Sequence, residues 1–136
     1  MRSVTIQRQN PPTLHATPGY HHVTIAEAGR TVYFAGQCPV DLEGNVVGGE
    51  DYLAQADQVI TNTAAALKAA GATPADVVRT TVYVCSADSG QLSAVWHHLL
   101  NSEIGEALTS ASTLLGVAQL GFSGQLLELD VTAVLT

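Results

Sequence analysis

Glu128 is the residue whose type and setting best suit proton transfer: a single carboxylate among Leu126, Leu127 and Leu129. In a folded strand such neighbours strip water from the carboxylate, and desolvation raises a carboxyl pKa toward the range useful for general acid or base catalysis. The plainer alternative is a solvated or structurally bonded strand glutamate. Tyr20 brings a phenol that can donate to a substrate oxygen or pack beneath a loop. The pairs His21-His22 and His97-His98 invite a metal reading. Adjacent residues, however, point apart on a strand and about 100° apart on a helix, and the chain has neither an i,i+4 histidine pair nor HExxH. No metal is therefore expected, and His22 is retained as a proton carrier near Tyr20. Cys38 is read as packing rather than as a nucleophile. Trp96 is read as a core or cleft-lining ring, and Gly36 as a point where backbone can approach a ligand because no side chain intervenes.

The hydrophobic pattern indicates the scaffold that must carry these residues. Val4, Ile6 and Arg8 begin an alternating strand that Asn10-Pro11-Pro12 stops, since consecutive prolines remove ladder donors. Residues 22–28 and 31–36 have strand propensity, and Ala28-Gly29-Arg30 between them predicts a β-hairpin with Gly29 at positive φ. Residues 39–50 read as a loop with turns at Gly44-Asn45 and Gly48-Gly49. Asp51 can cap a helix whose apolar positions Leu53, Ala56, Val59, Ile60, Thr63, Leu67 and Ala70 recur at three- and four-residue steps, and Gly71 ends it. Residues 77–85 alternate as a strand with both faces at least half buried. A second helix opens at Asp88 or Ser89, carries Leu92, Val95, Trp96 and Leu99, and ends within residues 101–105. Ser112 starts a short apolar run to Val117. Residues 126–135 form a last strand with Leu127, Leu129, Val131, Ala133 and Leu135 on one face and Glu128, Asp130 and Thr132 on the other. This order predicts an α+β sandwich, one domain over residues 1–136, with two helices on one face of a mixed β-sheet.

At 136 residues the chain is long enough for one hydrophobic core. Five Lys and Arg stand against twelve Asp and Glu, a net charge of −7, and no cation lies beyond Arg79. That balance tells against nucleic acid, which needs clustered Lys and Arg to displace counterions, and against an anionic membrane surface. Charged residues make up 12% of the chain and apolar ones 46%, where about 25% charged is usual, so part of the exterior is expected to be an interface. No apolar run approaches the ~18 residues of a membrane span, and the N-terminal segment lacks an apolar signal core. A cytoplasmic location with Cys38 and Cys85 reduced is expected.

Several strings fall in the order and spacing of one family: Gly19-Tyr20, Phe34-Ala35-Gly36-Gln37-Cys38-Pro39, residues 55–62, Ala69-Ala70-Gly71 followed by Asp76-Val77-Val78, Thr80-Thr81-Val82-Tyr83-Val84, and Leu127-Glu128-Leu129-Asp130. Over residues 20–134 the chain resembles the Rid family, also called the YjgF or reactive intermediate deaminase family. The resemblance implies a chorismate-mutase-like fold and a homotrimer with small-molecule clefts between neighbouring subunits. It implies hydrolysis of enamines and imines to ammonia and a keto acid, with no metal or bound cofactor. It also implies an arginine ahead of the penultimate strand that clamps the substrate carboxylate, and a last-strand glutamate that positions the attacking water.

By the match of the last strand that glutamate is Glu128, and the tyrosine near the cleft is Tyr20. The arginine has no counterpart: the family's Pro-Ala-Arg-Ser/Thr string falls on Ser110-Ala111-Ser112-Thr113, so Ser112 takes its place. The family's helix asparagine falls on Ser93 and its helix tyrosine on Trp96. Glu128 and Tyr20 are thus expected to be catalytic, with Ser112, Gly36, Ser93 and Trp96 binding substrate. A neutral Ser112 forfeits charge-assisted bonding worth about 1.5–3 kcal/mol per bond. The usual 2-iminoacids are therefore expected to be poor substrates, and another C=N or enamine compound is expected in their place. A neighbouring Arg8, Arg30 or Arg79 would restore an anion site. The alternatives are a non-catalytic small-molecule-binding or regulatory module and, less consistent with the acidic balance, an endoribonuclease or translation inhibitor.

Overall fold

The computed structural model describes residues 6–135. Its strands are β1 (Ile6–Gln9), β2 (Val23–Ala26), β3 (Arg30–Tyr33), β4 (Val77–Val84), β5 (Ala111–Gly116) and β6 (Leu127–Leu135), and its helices are α1 (Tyr52–Ala69), α2 (Ser89–Leu100) and the short α3 (Gly105–Leu108). Val4, expected to open the first strand, lies outside the described residues. A four-stranded mixed sheet runs in the order β3-β6-β4-β5, and β1-β2 forms a separate two-stranded sheet. Within the larger sheet β4 and β5 are parallel, while β6 is antiparallel to both β3 and β4.

Helix α1 begins where the Asp51 carboxylate accepts the amide protons of Leu53 and Ala54 at 3.0 and 3.2 Å, satisfying donors that have no partner within the helix. It ends in a Schellman turn: Ala72 N–H donates to the Leu67 carbonyl and Gly71 N–H to that of Lys68, with Gly71 at φ +76° and buried Ala72 against Leu67. Its inner face buries Ala56, Val59, Ile60, Thr63 and Leu67. Leu53, expected on that face, is exposed, and Gln55 is buried in its stead. Helix α2, capped by Asp88, adds Val95, Trp96 and Leu99. Both helices pack with Val82, Val84, Leu127, Leu129, Val131 and Ala133 of the sheet in one core. Each large apolar side chain fully buried there contributes about 1.5–3 kcal/mol relative to exposure.

The predicted hairpin between residues 22–28 and 31–36 does not form. β2 pairs with β1, and β3 pairs with β6 through Arg30↔Leu135 to Tyr33↔Thr132. Gly29 is not among the positive-φ glycines, so the link lacks the backbone of a tight two-residue turn. The nine-residue β6 instead offers a long edge, against which Val32 pairs with the buried Ala133.

β4 also departs from simple alternation. Val77 faces Ala133 and Arg79 faces Thr132, so Val78 is the extra residue of a bulge. The bulge changes the phase of the strand, which buries Val77 as well as Thr80, Val82 and Val84. The opposite face of the sheet carries Arg79, Thr81 and Tyr83 of β4 beside Thr132, Asp130 and Glu128 of β6 and Thr113 and Leu115 of β5. No helix among the described residues covers this second face, and Tyr33 on β3, opposite Thr132, is 81% exposed.

Candidate functional site

Because β6 turns Leu127 and Leu129, both 0% exposed, toward the helices, Glu128 must point to the open face. Beyond Tyr33 the chain continues alongside β6 with one extra residue: Phe34 N–H donates to the Val131 carbonyl, whereas Gln37 N–H donates to that of Leu129. This irregularity sets Gly36 and Cys38 beside Glu128. A Cβ on Gly36 would stand 1.9 Å from Glu128 Oε2, so the carboxylate occupies the space that any larger residue would fill.

The two carboxylate oxygens are not equivalent. Oε1 accepts from the Cys38 thiol at 3.4 Å and from the Gln125 amide at 3.1 Å. Gln125 is only 3% exposed, and its amide nitrogen also donates to the Leu127 carbonyl while its oxygen accepts from Phe122 N–H, each at 3.0 Å. Oε2 meets no donor among the described residues. Burial pushes the Cys38 thiol up from 9.0 to about 11, with the Glu128 charge and the hydrogen bond to it adding to the shift. The sulfur is thus a neutral donor near neutral pH rather than a thiolate nucleophile.

Two side-chain amides of α1, buried Gln55 and half-buried Asn62, hold the segments around this carboxylate. Asn62 donates to the carbonyls of Cys38 and Val40 at 2.9 and 2.8 Å. Gln55 donates to the carbonyls of Gly49 and Gly124 and accepts from Leu126 N–H at 2.7, 2.9 and 2.8 Å. These contacts fix the backbone on both sides of Glu128. Gln55, Asn62 and Gln125 were not anticipated as positioning residues, because a lone amide in a helix or loop reads as ordinary surface polarity.

A second cluster lies on the helix side of the sheet. Pro18, Tyr20, Trp96, Ser112 and Leu114 line a half-enclosed cavity of about 70 Å³. Trp96 is 4% exposed, and its indole N–H donates to the Pro18 carbonyl at 3.0 Å. The Tyr20 ring stands edge-on to Trp96 and to His22, with centroids 6.3 and 5.7 Å apart, and its hydroxyl meets His15 Nε2 at 3.2 Å. His22 Nε2 donates to the His15 carbonyl at 2.8 Å. The Ser112 hydroxyl contacts that of Thr80 and lies 3.1 Å from the carbonyls of both Leu108 and Ser110.

Tyr20, Trp96 and Ser112 therefore come together, as do Glu128, Gly36 and Cys38, but the two groups occupy opposite faces of the sheet. Ser112 pairs in register with buried Thr80, whereas Glu128 pairs with Tyr83 on the open side. Ser93 joins neither; it is exposed on α2 with its hydroxyl 3.3 Å from His97 Nδ1. His21 Nδ1 donates to the Thr109 carbonyl at 2.6 Å and His98 meets Asp57 at 2.7 Å, so the paired histidines diverge. Among the arginines, Arg8 is held by the carbonyls of Ala75 and Val77. Arg79 donates to Thr113 Oγ1 at 2.7 Å on the open face. No described cation lines the Ser112 cavity.

Comparison with known proteins places this architecture. Residues 11–135 match the family model described as Endoribonuclease L-PSP. The chain belongs to this family, the Rid or YjgF family. A 2-iminobutanoate/2-iminopropanoate deaminase of Salmonella typhimurium is 38% identical over 82 residues, a match spanning 60% of this chain and 60% of that relative. The crystal structure of the Rid protein YyfB from Yersinia pestis, described as of unknown function, superposes with a TM-score of 0.85 at 35% identity, covering 96% of this chain and 98% of that one. The E. coli YjgF gene product gives 0.62 at 29% identity over 88% and 90% of the two chains. The α+β arrangement expected from the sequence is thus the Rid fold. No helix among the described residues is long and apolar enough to cross a membrane.

Proposed function

We propose that this Rid protein is a cofactor-independent hydrolase of a C=N or enamine bond, acting in clefts between the subunits of a homotrimer. The observation that carries this reading is the asymmetry of Glu128: Oε1 is held by Cys38 and Gln125, while Oε2 faces the space above Gly36. A water hydrogen-bonded to Oε2 is aimed by a carboxylate whose other oxygen is held by two donors. As that water attacks the imine carbon, Oε2 takes its proton and the C=N electron pair moves to nitrogen. Glu128 passes that proton to the nitrogen, and as the carbinolamine hydroxyl gives up its proton and the nitrogen takes one more, the carbon–nitrogen bond breaks and ammonia leaves as the carbonyl forms. A relative in Salmonella carries the name of an imine deaminase, which supports the same reaction class for this chain.

The open sheet face supports the trimer reading, because it exposes Tyr33 and Leu115 on a chain poor in surface charge. Glu128 and the Tyr20 cavity lie on opposite faces of one subunit, so a cleft using both draws them from neighbouring copies. The chain is read as a single-domain cytoplasmic protein. A second reading, a non-catalytic ligand-binding or regulatory module, is favoured by the Ser112 hydroxyl, which is engaged within its own chain. The acidic balance speaks against ribonuclease activity despite the name of the family model.

Incubation with freshly generated 2-iminobutanoate separates these readings when ammonia and 2-ketobutanoate are measured beside an uncharged imine. The proposal expects acceleration of the uncharged imine, little of 2-iminobutanoate, and loss of turnover in Glu128→Gln. Recovery of both compounds at the uncatalysed rate would favour the binding module. Sedimentation velocity reads the trimer directly.

A further inference from the structure

We infer that the cavity between Tyr20 and Trp96 receives a small, uncharged, branched aliphatic group of the ligand, on the order of three carbon atoms. This rests on the hydrolase reading only in treating the ligand as its substrate; the cavity itself is defined by the residues that line it. Pro18, Tyr20, Trp96 and Leu114 make its wall apolar, with Ser112 the only hydroxyl-bearing aliphatic residue.

Each polar group on that wall already has a partner. The Trp96 N–H is bonded to the Pro18 carbonyl, the Tyr20 hydroxyl to His15, and the Ser112 hydroxyl to Thr80, Leu108 and Ser110. A carboxylate placed there would lose its hydration and meet no Lys or Arg on the cavity wall of its own subunit, a costly way to bury a charge. Within one subunit Arg79 lies on the opposite face of the sheet with its guanidinium on Thr113, so it does not reach this cavity. An uncharged apolar group meets no such penalty.

Size narrows the class further. An apolar cavity of roughly 150 Å³ accommodates a benzene ring, and this one offers about 70 Å³. An isopropyl group fits within that half-enclosed space, whereas a full aromatic ring would project from its mouth. The substrate class is therefore an imine or enamine carrying a short, uncharged, branched chain that enters this cavity.

Trp96 is the only tryptophan in the chain, so its emission reports occupancy of the cavity. The probes are isobutyramide and isobutyrate, which share the isopropyl group and differ in charge. At matched ionic strength isobutyramide should shift the Trp96 emission saturably, with a Kd at least tenfold lower than that of isobutyrate. Leu114→Phe, which fills the cavity, should abolish the response. If that variant does not fold, Leu114→Ala, which enlarges it, should extend binding to pivalamide. Equal or tighter binding of isobutyrate, or no saturable response to isobutyramide, overturns the inference. Turnover plays no part in this titration, so failed binding leaves the Glu128 reading standing. A protein that binds isobutyramide but hydrolyses no imine retires the hydrolase reading alone.

Discussion

Replacing Glu128 by Gln should change the chemistry of a residue in the segment beyond β3. In the native chain the Cys38 thiol is 3.4 Å from Glu128 Oε1 and titrates near 11 instead of 9.0. At pH 8 this difference lowers the thiolate fraction, and with it the alkylation rate, about a hundredfold. Burial is the largest cause, and the carboxylate charge and its hydrogen bond supply the rest. Glu128→Gln removes the charge while leaving the burial, so the thiol pKa should fall part-way toward 9.0 and iodoacetamide should react about tenfold faster at pH 8. The assay is the pH dependence of alkylation in a Cys85→Ser background, leaving one thiol to follow. Because the folded state holds the Cys38 proton more tightly, the associated stability is complete below pH 9.0 and is lost as pH rises toward 11. Glu128→Gln should narrow that alkaline window. An unchanged or higher thiol pKa in the variant would refute the coupling between Cys38 and the carboxylate.

Other perturbations test the supporting geometry. Gly36→Ala would put a methyl 1.9 Å from Oε2; the flexible carboxylate should move, costing about 1–3 kcal/mol, lowering the Cys38 pKa and abolishing imine turnover. Gln55→Ala should cost about 3 kcal/mol in urea unfolding, because it strands the Leu126 N–H and the carbonyls of Gly49 and Gly124. Asp51→Ala should remove the α1 cap and lower stability by about 1 kcal/mol without altering Cys38 reactivity.

Much of the fold was legible because burial here follows strict periods. The helical spacing from Ala56 to Leu67 and the alternation from Leu127 to Ala133 mark their buried faces directly. The hairpin was misread because strand propensity does not name a partner: β2 and β3 are adjacent in sequence, yet each pairs elsewhere. The Val78 bulge escaped notice because alternation carries no sign of an inserted residue. Glu128 stood out as a carboxylate among leucines. Its clamp did not, since Gln125 acts through a loop turn and Cys38 through an inserted residue beside β6. The placement of Ser112 and Glu128 on opposite faces depends on registers across three strands, which spacing along one strand cannot reveal.

The most direct test of the central claim is hydrolysis of isobutylidene imine, generated in the cuvette by elimination from N-chloroisobutylamine. Release of ammonia and isobutyraldehyde is followed with no protein, native protein and Glu128→Gln. The native chain should accelerate release, and the variant should lose roughly a hundredfold or more of that acceleration, as expected for removal of a positioned general base. Full activity in Glu128→Gln, or no acceleration by the native chain, would contradict the assignment of Glu128 as the group that directs water onto the C=N bond.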